Sequence, residues 1–532
     1  VSAHPPHVVV DCERRRRELT DRYVAAIASL GGAEIGSFTV SNLLTVDGID
    51  AWAASSLRES SLWADDDFFA RVTALATGRA TTPRNTKSIG RACVEALGYA
   101  LRSLVQVFRE RDSRVSRRAS TADVVVVDYA TRSLTATPYL SPYVGKLDEV
   151  LRSDHRSVAW LHLTSSGTPT SLTSDERTWM HAVAGDHAHG FVRQFVTPSV
   201  VLSALRSWWT LQRRAPRWSE VVGAASDTDV HTIAPLLAND YVRSVHGTVA
   251  MRTMLLGHAL RRAVVTVRRD AIVIHPFEGQ GWETLLINEC AAQDVMCVSY
   301  LHTIMKPWDV RALTALTSVK AQRVVVHGAH DEAEICRTRS AVHVAEALRY
   351  QHLARAVTRT TDPDAPVLFV GGADCEESSR LFDALVAANG ELPSPMNLWV
   401  KWHPQCAVSR DSRANVTVVS DALDALFPRV RGVILAATAA PLDSYLAGVP
   451  TCSIVAPGAF STNPLTADDT YLIAANATEA IGWMAGRSSE STSTASTSQP
   501  GPDVGRWFVI DPELPRWRAL IERLFDQRSD AR

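Results

Sequence analysis

Apolar positions fall into two rhythms along this chain. Some are short unbroken runs of branched residues, and others are longer stretches in which apolar residues return every three or four positions. Unbroken runs bounded by polar residues or glycine predict parallel strands buried on two faces, and the longer period predicts helices with one face against a core. TADVVVVDYAT (121–131) and RSVAWLHLTSS (near 157 to 166) therefore read as strands, with a loop and a short helix in TPYLSPYVGKLDEVL between them. Residues 170 to 265 read as mostly helical.

From Ala271 the pattern tightens. AIVIHP is a strand, GWETLLINECAAQ a helix and VMCVSYLH a second strand, which together make a βαβ unit. RVVVHGAHDEAEI (323–335) adds a strand that turns into a helix at Gly328. After Ala365 the alternation repeats through PVLFVGGADCEESSRLFDALVAANG, NLWVKWHP, NVTVVSDALDALFPRV and GVILAATAAPLDSYLAGVPTCSIV. Repeated βα units with short apolar strands predict an α/β chain of two Rossmann-like domains, which would face a central cleft. The expected layout is an N-terminal domain over 1–355 with its helical insertion at 170–265, a C-terminal domain over 356–486, a flexible Ser/Thr-rich segment at 487–503, and a terminal helix within 504–532 that docks back on one of the domains.

At 532 residues, 46% hydrophobic and 21% charged, the chain is long enough for two or three globular cores. The near balance of 55 basic and 57 acidic residues gives no electrostatic reason for a nucleic-acid partner. Eight cysteines (12, 93, 290, 297, 336, 375, 406 and 452) lack any CxxC pair, which argues against a zinc site and a disulfide framework and fits a reducing, cytoplasmic setting. No window reaches the length of about 18 apolar residues needed to cross a bilayer, and the N-terminus lacks the apolar core of a signal peptide. Contact with a membrane surface stays open. Arginines 14 to 17 read as a solvated helical turn, with an anion contact as the alternative. Asp65 to Asp67 read as a helix cap before FFARVTALA rather than a metal-binding DxD.

In open α/β sheets ligands bind beyond the carboxyl ends of the strands. In the C-terminal half this points to Gly371 and Gly372, to Lys401 and His403 in KWHP, and to Thr438 and Ser444 around the helix start at Pro441. A cation and an imidazole there can bind a phosphate and stabilise a leaving group; a tight turn, a structural histidine and ordinary capping are the alternatives. In the N-terminal half the same rule points to HPFEGQGWE and LHTIMKPWD. Glu278 lies in a glycine-flanked loop with no helix to serve and is a candidate general base. Glu283, in the first helical turn, is either a second candidate or a compensator of the helix dipole. His302 ends the next strand, as an orienting residue or a core histidine, and Trp282 and Trp308 flank the same loops.

These residues carry a resemblance. HPFEGQGWETLL followed by SYLHTIMKPWD resembles the E-N-Q-P-W-E…G-x-x-H-S pattern of bacterial surface-carbohydrate biosynthesis proteins, which are similar to capsule and lipopolysaccharide glycosyltransferases. SSLRESSLW, SPYVGKL (141–147) and VAEALRYQHL (344–353) echo it, and KWHP with DSYLAGVP is similar to the K-x-H-P loop and following helix of GT-B transferases, including those using CMP-activated ulosonic acids. The chain departs from the pattern at His275-Pro276-Phe277 and at Thr303. The resemblance implies a metal-independent glycosyltransferase without cofactor that moves a sugar from a nucleotide-sugar donor to a glycan or lipid-linked glycan acceptor. In that reading Glu278, Glu283 and His302 are catalytic, Trp282 and Trp308 lie on the acceptor side, and Gly371, Gly372, Lys401, His403, Thr438 and Ser444 hold the donor. A sugar-nucleotide epimerase and a non-catalytic scaffold of a polysaccharide assembly complex are the alternatives.

Overall fold

The computed structural model describes residues 18, 21–22, 24–52, 88–109, 121–130, 134, 141–164, 173–183, 188–305, 323–336, 342–354, 360, 362–372, 375–403, 406, 413–436, 441–455, 465, 471–490 and 504–530. Among these, residues 350 to 510 form one compact unit, and those up to Arg349 together with 511 to 530 form the other.

The first unit is built on a seven-stranded sheet of β1 (Val124–Tyr129), β2 (Val158–Leu163), β3 (His189–Phe191), β4 (Ile272–Phe277), β5 (Met296–Leu301), β6 (Arg323–Val326) and β7 (His343–Val344). All its pairings are parallel, and its order is β7-β6-β5-β4-β1-β2-β3. The chain thus builds outward in one direction through β3, returns to the middle and builds the other way from β4. This is the doubly wound order of a Rossmann sheet, with its switch point between β1 and β4.

The valine run of β1 shows why this sheet is buried on two faces. Val125 and Val127 point into one core with Val273 and with helices α1 (Ile89–Arg109), α3 (Pro198–Arg214), α4 (Thr228–Val245), α5 (Thr248–Val264) and α6 (Gly281–Ala292). Val124 and Val126 point into the other, beside α2 (Leu147–Ser153) and the terminal helix α11 (Pro515–Asp530), and α7 (Ala329–Cys336) follows β6. Each fully buried apolar side chain contributes about 1.5–3 kcal/mol relative to exposure. The terminal helix is fixed to this unit by Glu346, whose carboxylate accepts from the backbone N–H of Arg516 and Trp517 at 3.0 and 3.1 Å. Strand β3 interrupts the stretch expected to be mostly helical. It has three residues, HGF, too short for a periodic signal.

The second unit repeats the plan in six parallel strands: β8 (Val367–Val370), β9 (Leu398–Lys401), β10 (Val416–Val418), β11 (Gly432–Leu435), β12 (Thr451–Ile454) and β13 (Tyr471–Ala474). Their order, β10-β9-β8-β11-β12-β13, is again doubly wound, with the switch point between β8 and β11. Helices α8 (Cys375–Gly390) and α10 (Ala477–Glu490) cover one face through Phe382, Leu385, Ile481 and Met484, while Leu426, Phe427 and Val449 pack on the other. No described helix is long and apolar enough to cross a membrane. Asp65 to Asp67 and arginines 14 to 17 lie outside the described residues.

Candidate functional site

The most organised cluster of polar side chains lies at the switch point of the first sheet. Here β1 ends at Tyr129, and β4 ends at Phe277 and passes through Glu278, Gly279 and Gln280 into α6. Gly279 has φ +76°, a conformation that favours glycine, and the turn brings three consecutive N–H groups toward Glu283. One carboxylate oxygen of Glu283 accepts from Glu278 N at 3.0 Å, and the other from Gly279 N at 2.8 Å and Gln280 N at 3.0 Å. Glu283 is only 1% exposed. Burial, and then the nearby Glu278 carboxylate, push its pKa well above the usual carboxylate range, while the three N–H donors pull it back. Its side chain is committed to shaping the loop.

Glu278 is held differently. The Gln280 side-chain amide donates to its Oε2 at 2.7 Å, and His302 Nε2 stands 3.2 Å from its Oε1. Its side chain keeps 27% exposure, so this carboxylate can be reached from solvent. His302, at the end of β5, is buried, and its pKa is lowered to about 3, by burial first and then by the charges of Arg349 and His327. The imidazole is therefore neutral at pH 7. Its Nδ1 is buried with no hydrogen-bond partner among the described residues. The Tyr143 ring meets the His302 ring edge-on at 5.1 Å, and burial and Glu278 push the Tyr143 phenol up to about 12.

Beneath the loop runs a supporting chain of hydrogen bonds. Trp282 Nε1 donates to the Tyr129 hydroxyl at 2.5 Å, Tyr129 donates to Gln280 Oε1, and Gln280 in turn donates to Glu278. Trp282, expected to face an acceptor, is 6% exposed and packed in the core, so it reaches the site through Tyr129 and Gln280. Trp308 lies outside the described residues. His275 is also buried, with Nδ1 2.8 Å from the Pro276 carbonyl and Nε2 2.8 Å from the Ser299 hydroxyl; burial lowers its pKa to about 4.

A second cluster nearby had no counterpart in the motif reading. Ser141 Oγ donates to Asp128 Oδ2 at 2.8 Å, His162 Nδ1 lies 2.6 Å from Asp128 Oδ1, and His162 Nε2 lies 2.9 Å from His189 Nδ1. The rings of Trp160, His162 and His189 stack within 10° of parallel. The available signal was Asp128 itself, an acid following four valines in β1, which must find partners when buried.

In the second unit, Gly371 and Gly372 follow β8 and lie beside the end of β9. Gly371 N donates to the Lys401 carbonyl at 3.0 Å, and Gly372 N to Ser378 Oγ at 2.9 Å. A Cβ on Gly371 would stand 3.3 Å from Ser378 Cβ and 3.4 Å from the Trp402 ring, so a side chain here would need its neighbours to shift by a few tenths of an ångström. Lys401 Nζ donates to the carbonyls of Asp421 at 2.6 Å and Ser420 at 3.3 Å, and burial lowers its pKa. Trp402 packs edge-on against Phe382 and Phe369, and half-buried His403 follows it. Ser444 is fully buried in α9 (Pro441–Leu446), where it accepts from Thr451 Oγ1 at 2.9 Å. Thr438 and Pro404 lie outside the described residues.

One expectation about this unit is overturned. The scattered cysteines argue against a disulfide framework, yet Cys375 and Cys406 are bonded, with Cα atoms 5.4 Å apart. Their 31-residue separation has no motif signature, and only the parallel pairing of β8 with β9 brings the following loops together.

No family model matches the chain, and no curated protein sequence matches it. Solved structures similar to it include UDP-GlcNAc 2-epimerase from Methanocaldococcus jannaschii, at 7% identity and TM-score 0.41 over 75% of this chain and 99% of that one. The spinosyn rhamnosyltransferase SpnG matches at 11% identity and TM-score 0.34 over 76% and 96%. Anabaena Alr3699/HepE in complex with UDP matches at 9% identity and TM-score 0.36 over 77% and 99%. Likeness at this level carries no argument about activity, and the fold assignment rests on the two strand orders.

Proposed function

We propose that this protein is a glycosyltransferase of surface-polysaccharide biosynthesis, with a nucleotide-sugar donor, of which a CMP-activated ulosonic acid is one candidate. In this reading the first unit carries the acceptor glycan and the second the nucleotide, and the protein works in the cytoplasm, where peripheral membrane contact would serve a lipid-linked acceptor. The observation that carries the reading is the Glu278–His302 pair at the switch point of a doubly wound sheet, where ligands of such sheets bind. Glu278 is the general base: its partly exposed carboxylate is within reach of an acceptor hydroxyl, whereas both oxygens of Glu283 are taken by backbone donors. His302 is neutral and positions Glu278 through Nε2. Glu283 is a positioning residue that builds the loop.

For the second unit, Gly371 and Gly372 let a nucleotide approach the backbone, and Lys401 and His403 place positive charge and a donor beside the departing phosphate. The buried hydroxyl of Ser444 is assigned to packing. No metal is invoked, and the acceleration comes from positioning and from charge stabilisation.

The test is incubation of purified protein with CMP-, UDP-, GDP- and dTDP-sugars, with and without acceptor glycans. Acceptor-dependent nucleotide release, lost in Glu278→Gln, is expected. Release that needs no acceptor and yields an epimer would replace transfer by epimerisation. Absence of thermal stabilisation by every nucleotide tested would remove the donor assignment.

A further inference from the structure

The disulfide joins the two loops assigned above to the nucleotide. Cys375 is exposed and opens the sixteen-residue helix α8, and Cys406 is buried beyond the end of β9. Cys375 stands three residues after Gly372, and Cys406 three after His403. The bond therefore closes a covalent ring through α8 and β9 that includes Lys401 to His403, with Gly371 and Gly372 just before it in the chain. Beside it, the contacts described between these loops include the Gly371 N–H on the Lys401 carbonyl, Cys406 Sγ 3.8 Å from the Gly372 carbonyl, and the packing of Gly371 against Trp402.

We propose that the Cys375–Cys406 disulfide is a reversible thiol switch that sets nucleotide affinity, the bonded form holding the glycine turn and the KWHP loop in the binding arrangement. The proposal rests on the reading of the second unit as the nucleotide-binding one. Accessibility favours attack at Cys375, the exposed one of the two residues, over Cys406, which is buried. A thiolate from a small-molecule thiol attacks Cys375 Sγ, and the disulfide breaks. Cys406 leaves with the electron pair and takes up a proton. A second thiolate then attacks the small-molecule sulfur of the mixed disulfide, releasing Cys375, which takes up a proton. In sum, one protein disulfide and two thiols give two protein cysteines and one small-molecule disulfide. Binding costs less when loops are already ordered, so the bonded form is the tighter binder.

The experiment compares the full chain in oxidised and reduced glutathione, with thiols at 375 and 406 counted by alkylation and mass spectrometry. Amide exchange over 371–378 and 398–406 and affinity for the nucleotide sugars are then measured in each state. Reduction is expected to raise exchange in these two segments and weaken nucleotide binding roughly tenfold, with recovery on reoxidation. In Cys375→Ser/Cys406→Ser the glutathione ratio should have no effect. Should that variant fail to fold, the reversible cycle of the unaltered protein still decides the matter. Unchanged exchange and unchanged affinity on full reduction would overturn the switch, as would a bond that glutathione does not open. If exchange responds but neither state binds any nucleotide, the nucleotide-binding reading fails while the redox coupling of the two loops stands.

Discussion

Glu283 accepts the backbone N–H of Glu278, five residues before it, and this contact separates the work of the two acids. One builds the turn, and the other is presented by it. Glu278→Gln should leave thermal stability almost unchanged and lower transfer by about 10²–10⁴-fold, the usual contribution of a general base. Glu283→Ala strands three N–H groups and should cost about 3 kcal/mol of stability. Denaturant titration and rate assays on the two variants give opposite signatures. Equal stability losses would remove the distinction.

The terminal helix offers a test of how the first unit is closed. Glu346 caps its N-terminus with two backbone bonds, and Trp517, fully buried, donates Nε1 to the Glu346 carbonyl at 2.9 Å. Glu346→Ala should cost about 1–2 kcal/mol by loss of the cap. Trp517→Ala should cost about 3–5 kcal/mol by leaving a cavity against Tyr300 and Ile521. A chemical denaturation midpoint that moves in neither variant would show that the helix is not part of the folded unit.

Stability should fall in mild acid. His302 has a folded pKa of about 3 and His275 of about 4, each below the unfolded value of about 6.5. Between these limits the unfolded chain binds more protons, so the stabilisation is complete above about pH 6.5 and is lost as pH falls toward 4 and then 3. Each group contributes a slope of at most about 1.4 kcal/mol per pH unit. His302→Asn should flatten the melting temperature against pH between 6.5 and 4. An unchanged slope would mean that His302 is protonated in the folded state.

Much of this architecture was legible because parallel strands buried on two faces announce themselves as unbroken apolar runs. VVVV at 124–127, IVI at 272–274 and VLFV at 367–370 each became a central strand. Strand β3 escaped because three residues of HGF carry no period, and its place at the sheet edge is set by its pairing with β2. Glu278, Glu283 and His302 could be named from their loops, but their division of labour could not. It depends on which carboxylate the Gly279 turn presents its N–H groups to. The Asp128–His162–His189 series joins residues 34 and 27 apart, and the disulfide joins two 31 apart, through strand pairing that no local spacing encodes.

Tyr129 supplies the most discriminating test of the supporting chain. Its hydroxyl accepts from Trp282 and donates to Gln280, whose amide nitrogen holds Glu278, so three side chains stand between the core and the proposed base. Tyr129→Phe keeps the ring packed edge-on against Trp282 and removes only the hydroxyl. Trp282 Nε1 retains Gln280 Oε1 at 3.1 Å, so no buried donor is orphaned and the stability cost should stay near 1 kcal/mol. Gln280 loses its phenolic donor, however, and with it the restraint on the amide that orients Glu278. A loosened base lowers the fraction of bound complexes in reacting geometry without weakening binding. The expected result is roughly a tenfold fall in kcat with KM nearly unchanged. A rise in KM at constant kcat would instead place the hydroxyl in contact with the substrate.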